Sequence, residues 1–164
     1  MVRDVTTQLA AAGLTVGVLR TSPTFSQLVV RDAGEAVVID LVADPTPQAE
    51  LPAPRSLGGR TILVETMHQL LVNKLCALLS RSELRDLVEV RELLRHGGDL
   101  VRAIEDCPRQ DAGFSPLTFG WSVRGLRVAA LGATLGVPVD TITALEAFRD
   151  ELVDQVIAAS RPVA

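Results

Sequence analysis

The spacing of the apolar residues changes part-way along this chain, and that change limits the fold more than any single motif does. Up to Val42 the apolar residues fall in short β-branched runs: Leu14 to Leu19 (LTVGVL), Ser26 to Arg31 (SQLVVR) and Ala36 to Val42 (AVVIDLV). Runs of this length predict strands, and Asp32-Ala33-Gly34-Glu35 between the last two predicts a hairpin turn. Ahead of them, Asp4 to Ala12 predicts a short helix with Asp4 as N-cap and Gly13 as a left-handed stop. Asp44 to Gly59 (DPTPQAELPAPRSLGG) holds four prolines, which remove backbone donors, and predicts an ordered surface connector. Thr61 to Val64 then runs as a strand or leads straight into the next helix.

Beyond the connector the period becomes helical. Leu70, Leu71, Lys74, Leu75 and Leu78 recur at spacings of three and four, as do Leu84, Leu87, Val88, Val90, Leu93 and Leu94, which predicts helices over Glu65 to Leu79 and Ser82 to Arg95. Ser82 is the expected cap of the second, and His96-Gly97-Gly98 its end. Further helices are expected over Asp99 to Asp106, Pro116 to Leu131 and Thr141 to Ala159, with Gly132 to Pro138 as a loop. The fold class is therefore α/β in the α+β sense: a small, mostly antiparallel sheet led by a helix, then a helical bundle. A chain of 164 residues that is 48% hydrophobic has material for one core. One domain is expected over 1–164, with an α/β lobe at 1–64 and a helical lobe at 65–164.

Composition removes several function classes. The net charge of -4 gives no global basic field, so any nucleic acid must be met by a local patch. With four Phe, one Trp and no Tyr, few rings remain for stacking on bases. Cys76 and Cys107 lie in no metal-ligand spacing and read as small buried hydrophobes. No leader pattern and no apolar run of about 20 residues is present, so a cytoplasmic protein without a membrane partner is expected. No Ser-His-Asp or Cys-His pattern surrounds His68 or His96, and no glycine-rich strand-to-helix turn marks a P-loop or dinucleotide site.

Three places could carry chemistry. Asp40 interrupts an apolar strand that reads as buried on both faces. It therefore either sits at a solvent edge, meets a cation or helps to hold a metal, because an unpaired buried carboxylate costs several kcal/mol. Lys74 falls on the apolar stripe of its helix, where it either snorkels to water or faces an anion such as phosphate. Asp86 and Glu89, three residues apart, share a helix face. If the two helices form a hairpin, these acids return toward Lys74; otherwise they belong to a solvated charged face with Arg81, Arg85, Arg91 and Glu92.

In order along the chain, a helix and hairpin ending in Ile39-Asp40-Leu41, a Pro-rich connector, N-K-L-C-A-L-L-S-R from Asn73 and R-D-L-V-E-V from Arg85 resemble the AbiEii/AbiGii nucleotidyltransferase toxins. A weaker match continues at Asp111-Ala112-Gly113-Phe114. The resemblance implies a polymerase-beta-like α/β lobe followed by helices, and transfer of a nucleotide from an NTP to RNA, tRNA in particular, with Mg2+. It implies Asp40 as the metal-binding carboxylate, Lys74 as the lysine facing the triphosphate with Arg81 and Glu89 beside the nucleotide, and Asp86 or Glu89 as the acidic helix position. It also implies a cognate antitoxin.

The sequence departs from the family in one respect: it has no G-[GS]…D-x-D, the motif that holds the phosphates and the first metal carboxylates. Met1 stands before the helix that follows that motif in the family. Two further functions are therefore expected beside the transferase. One is a degenerate member that binds nucleotide, RNA or an antitoxin, or dimerises through an exposed sheet edge. The other is an α/β domain in which Lys74, Asp86 and Glu89 form a structural ion-pair network.

Overall fold

The computed structural model describes residues 2–43 and 48–159. The chain divides into two compact units, Met1–Thr46 and Pro47–Ala164. The start of the Pro-rich connector, including Pro45 and Pro47, lies outside the described residues.

The first unit consists of a helix, α1 (Val2–Ala11), and a three-stranded antiparallel sheet of β1 (Thr15–Thr21), β2 (Phe25–Asp32) and β3 (Glu35–Val42), in the order β1-β2-β3. The helix begins ahead of the expected cap, so Asp4 lies in its first turn, where a carboxylate still faces the positive end of the helix. Between β2 and β3, Ala33 (φ 45°) and Gly34 (φ 94°) are both left-handed. That geometry suits a two-residue hairpin, because its twist matches that of the flanking strands, and Asp32 pairs with Glu35 across it. The central strand β2 is buried at Ser26 and at Leu28, Val29 and Val30. The expectation that the Asp40 strand is buried on both faces is corrected: β3 is an edge strand, exposed at Glu35 to Val38, Asp40 and Val42.

The second unit opens with a hairpin of β4 (Ala53–Leu57) and β5 (Arg60–Val64), turned by Gly58 and Gly59, both at positive φ. Ala53–Leu57, within the expected connector, is therefore strand. Pro54 is accommodated there because a two-stranded ribbon leaves alternate N–H groups facing away from the partner strand.

The helices follow. In α2 (Met67–Arg81), Thr66 is the N-cap and accepts from the Gln69 amide at 3.1 Å. Ser82, expected to cap the next helix, instead closes α2 in the left-handed conformation, its hydroxyl donating to the Leu78 carbonyl. Glu83 then precedes α3 (Leu84–Arg95) without a side-chain cap bond. Asp99 caps α4 (Leu100–Gln110), which continues past the expected end at Asp106 and takes in Pro108 in its last turn. The single helix expected from Pro116 is two, α5 (Pro116–Arg124) and α6 (Val128–Thr134), broken at Gly125. The last, α7 (Val139–Ala159), packs on both.

The core of this unit is almost wholly aliphatic. Leu71, Leu75, Leu87, Val90, Val123, Leu145 and Leu152 are buried beside Phe119, whose ring lies 5.6 Å from that of Phe114. Cys76 and Cys107 are free and buried in it, as their composition-based reading expects. At Gly120, an added Cβ would stand 2.9 Å from the Ile157 side chain, so the absence of a side chain there lets α5 approach α7. Among the described residues no helix is long and apolar enough to cross a membrane.

Ala33 carries a side chain where the turn favours none, at a cost of about 1 kcal/mol. Ala33→Asn, which tolerates the left-handed region, is expected to stabilise the hairpin by about 0.5–1 kcal/mol. A denaturant titration reads this as a higher midpoint, and an unchanged or lower midpoint refutes the turn assignment.

Candidate functional site

Four of the residues selected from the sequence meet where α2 packs against α3. Lys74 and Arg81 lie two helical turns apart on α2, while Asp86 and Glu89 share a face of α3. The left-handed Ser82 ends α2 after Arg81, and α3 returns along it. This is the helix hairpin that the spacing required.

Asp86 is the centre of the cluster. Its side chain is fully buried, and Arg81 grips it with a two-pronged contact, Nε to Oδ2 at 2.7 Å and Nη2 to Oδ1 at 2.8 Å. The Lys74 ammonium adds a third bond, to Oδ1 at 3.4 Å. Burial alone would raise the Asp86 pKa. The bond and charge of Arg81, followed by those of Lys74, outweigh it and hold the carboxyl below its ordinary value. Arg81 responds in the opposite sense, its pKa raised first by the bond to Asp86.

Lys74 is also ion-paired with Glu89. That contact is an ion pair without hydrogen-bond geometry, since the buried Glu89 Oε2 has no hydrogen-bond partner. The Lys74 side chain is 24% exposed and stands in the wall of a cavity of about 540 Å³ between the same helices. Met67, Leu70 and Leu93 supply apolar lining, while Glu89, Glu92 and His96 supply the polar groups. The volume lies within the range of about 300–1,000 Å³ common for small-molecule sites.

Asp40 belongs to the first unit. It stands opposite Gln27 on the exposed edge strand, and Gln27 Nε2 donates to its Oδ1 at 2.9 Å. Among the described residues no group of three or more His, Cys, Asp or Glu side chains is placed to hold a metal. Magnesium is held through several oxygens, and one exposed carboxylate engaged by an amide does not supply that set.

A second polar network passed unnoticed in the sequence. Thr66 donates to Glu50 Oε2 at 2.5 Å and Arg102 donates to Oε1 at 2.6 Å, tying the chain ahead of the hairpin to α2 and α4. The Thr66 hydroxyl bond is the first cause of the lowered Glu50 pKa. Gln69, fully buried, accepts from the Glu50 amide and donates to Asn73, which donates in turn to Glu65. The T-x-x-Q at Thr66 to Gln69 is a capping-box pattern and was the available signal. His68, bonded to Asp106 at 2.9 Å, is largely buried, and His96 is exposed.

Over residues 6–159 the sequence matches the family described as nucleotidyl transferase AbiEii toxin, type IV toxin–antitoxin system. The chain belongs to the AbiEii family. No curated protein and no solved structure gives a match. Membership makes this a nucleotidyltransferase-like protein of toxin–antitoxin type. In this AbiEii chain, Lys74, Arg81, Asp86 and Glu89 form one packed cluster around the buried Asp86, not a solvated face.

Asp86→Asn removes the charge that both cations share and leaves Arg81 and Lys74 facing each other. Breaking a fully buried pair costs about 3–5 kcal/mol; with Arg81 and Lys74 reaching solvent, about 2–3 kcal/mol is expected. Because the folded pKa of Asp86 is depressed, its contribution is complete above the ordinary carboxylate value and is lost as pH falls through the folded one. The stability gap between wild type and Asp86→Asn should therefore be full at neutral pH and shrink below about pH 4. Urea midpoints across that range measure it, and a gap independent of pH removes Asp86 as its source.

Proposed function

We propose that the protein acts as an AbiEii-type nucleotidyltransferase toxin, taking an NTP at the α2–α3 cluster and passing a nucleotide to RNA, tRNA being the expected acceptor. One observation carries the reading: Lys74, ion-paired with Asp86 and Glu89, stands partly exposed in the wall of the cavity. A lysine placed in this way meets a phosphate as a point charge. The buried Asp86 and the Arg81 fork fix its helix against α3, so the charge need not be ordered when the ligand arrives. The apolar floor of Met67, Leu70 and Leu93 suits a nucleobase.

Nucleotidyl transfer in this family is expected to use a divalent metal. Asp40 alone does not hold one, so no step is assigned to the metal. That same observation supports a second reading, in which the chain is a degenerate member that binds nucleotide, RNA or its antitoxin without transferring anything. An antitoxin partner and a cytoplasmic site of action accompany either reading, since both substrates are found there.

A magnesium-dependent assay of labelled NTP transfer to total tRNA, run beside equilibrium NTP binding, separates the two. For the transferase, Lys74→Ala is expected to lower incorporation by about 10²-fold or more, the size of loss that follows removal of a charge-stabilising donor. NTP binding without incorporation selects the binding reading. Unaltered NTP binding in Lys74→Ala rejects the site itself.

A further inference from the structure

The β4–β5 hairpin is unusual in its own unit. Two-stranded ribbons are marginal in water unless something covers a face, yet neither strand packs substantially on a helix of that unit. Leu57 is 67% exposed and Leu63 71%, and Ile62 and Val64 are exposed as well. Its charge is equally distinctive. From Leu51 to Val64 the sequence contains two arginines and no acid, in a protein whose net charge is -4.

The arginines elsewhere in this unit are mostly neutralised. Arg81 pairs with Asp86, Arg85 with Glu83, Arg95 with Glu92, Arg102 with Glu50, Arg109 with Asp106, Arg124 with Asp154 and Arg149 with Asp150. Arg55 and Arg60 have no carboxylate partner among the described residues, and only Arg91, on α3, and Arg127, just ahead of α6, share that state in this unit. The register places both hairpin cations on one face. Leu57 is opposite Arg60 and Arg55 opposite Ile62, so the two arginines stand diagonally across the ribbon with Leu57 and Ile62 between them. Such diagonal neighbours lie about 7–8 Å apart.

We propose that this face of the β4–β5 hairpin is the RNA-docking surface of the protein. The occupant is an RNA strand, with Arg55 and Arg60 on its phosphates and the intervening leucine and isoleucine against its riboses and unpaired bases. Charge complementarity selects the partner: a polyanion finds two uncompensated cations side by side here, whereas the helices offer cations mostly paired with acids. The proposal rests on the RNA acceptor of the proposed function, but it concerns binding alone and is tested without turnover.

The test is a filter-binding titration of the full chain with labelled total tRNA, over a range of salt. Arg55→Ala/Arg60→Ala is expected to weaken binding about tenfold or more near 0.1 M salt. It should also reduce the slope of log affinity against log salt by about 1.5–2. Arg85→Ala, which removes a cation already paired with Glu83, should stay within about twofold of wild type. Both hairpin positions are exposed, and a denaturation curve on each variant confirms the fold. Equal losses from Arg85→Ala, or an unchanged salt slope in the double variant, overturn the proposal. So does competition by poly-glutamate as strong as that by RNA, which assigns the face to an acidic polypeptide. If tRNA binding follows the hairpin but no nucleotide is incorporated, the transferase reading fails and the docking surface stands. Incorporation that survives with unaltered tRNA affinity in the double variant gives the reverse result.

Discussion

The helical unit depends on a single buried charge. Asp86 is fully enclosed, and no aliphatic neighbour can compensate a carboxylate. Arg81 at the end of α2 and Lys74 two turns earlier must therefore both reach α3, and they fix the register of one helix on the other. The apolar contacts of Leu71, Leu75, Leu87 and Val90 supply burial but little discrimination, since leucine-rich faces slide past each other at small cost. The ion cluster removes that freedom. It also places Lys74 against the cavity, so the contact that specifies the packing also positions the lysine of the proposed site.

This dual use explains why the cluster includes Glu89. Asp86 with Arg81 alone is a neutral pair with matched geometry, and adding Lys74 leaves an excess positive charge. Glu89 returns the group to neutrality in the absence of ligand, at the edge of the cavity and with its side chain 38% exposed. An anion that approaches Lys74 competes with Glu89, the more solvated of its two carboxylates, and not with Asp86. Water takes over the released Glu89, whereas Asp86 retains Arg81. The Asp86–Arg81 half of the cluster would therefore survive an anion's competition for Lys74.

Much of this was legible in the sequence, and the reasons are specific. The helical period located α2 and α3, and a lysine on an apolar stripe twelve residues before an acid requires a helix hairpin if the two are to meet. Whether they met was not legible, because a charged face in solvent has the same spacing; it was the burial of Asp86 that decided. Asp40 went the other way. Val-Val-Ile-Asp-Leu-Val reads as buried on both faces, but strand order places it at an edge, and strand order is a tertiary property that a run of β-branched residues does not encode. Ser82 was misassigned because serine serves equally at a helix start and, in the left-handed conformation, just past a helix end. The β4 strand was hidden by its prolines, which in most contexts mark a loop.

The two arginine populations connect the fold to the proposed chemistry. An acidic protein that works on RNA must solve a long-range problem, since its overall field repels the substrate. Spreading free cations over the helices would relieve this but would leave many weak, competing sites. Here most of the arginines in the helical part of this unit are paired locally, so their field is weakened by a nearby acid and screened by salt. Arg55 and Arg60 retain theirs on a ribbon whose tip is two glycines. In the proposed docking, preference for the hairpin within this unit would come from pairing most of the other cations, not from strengthening the hairpin. An acid-removing change such as Glu83→Gln would free Arg85 and create a rival site without touching the hairpin at all.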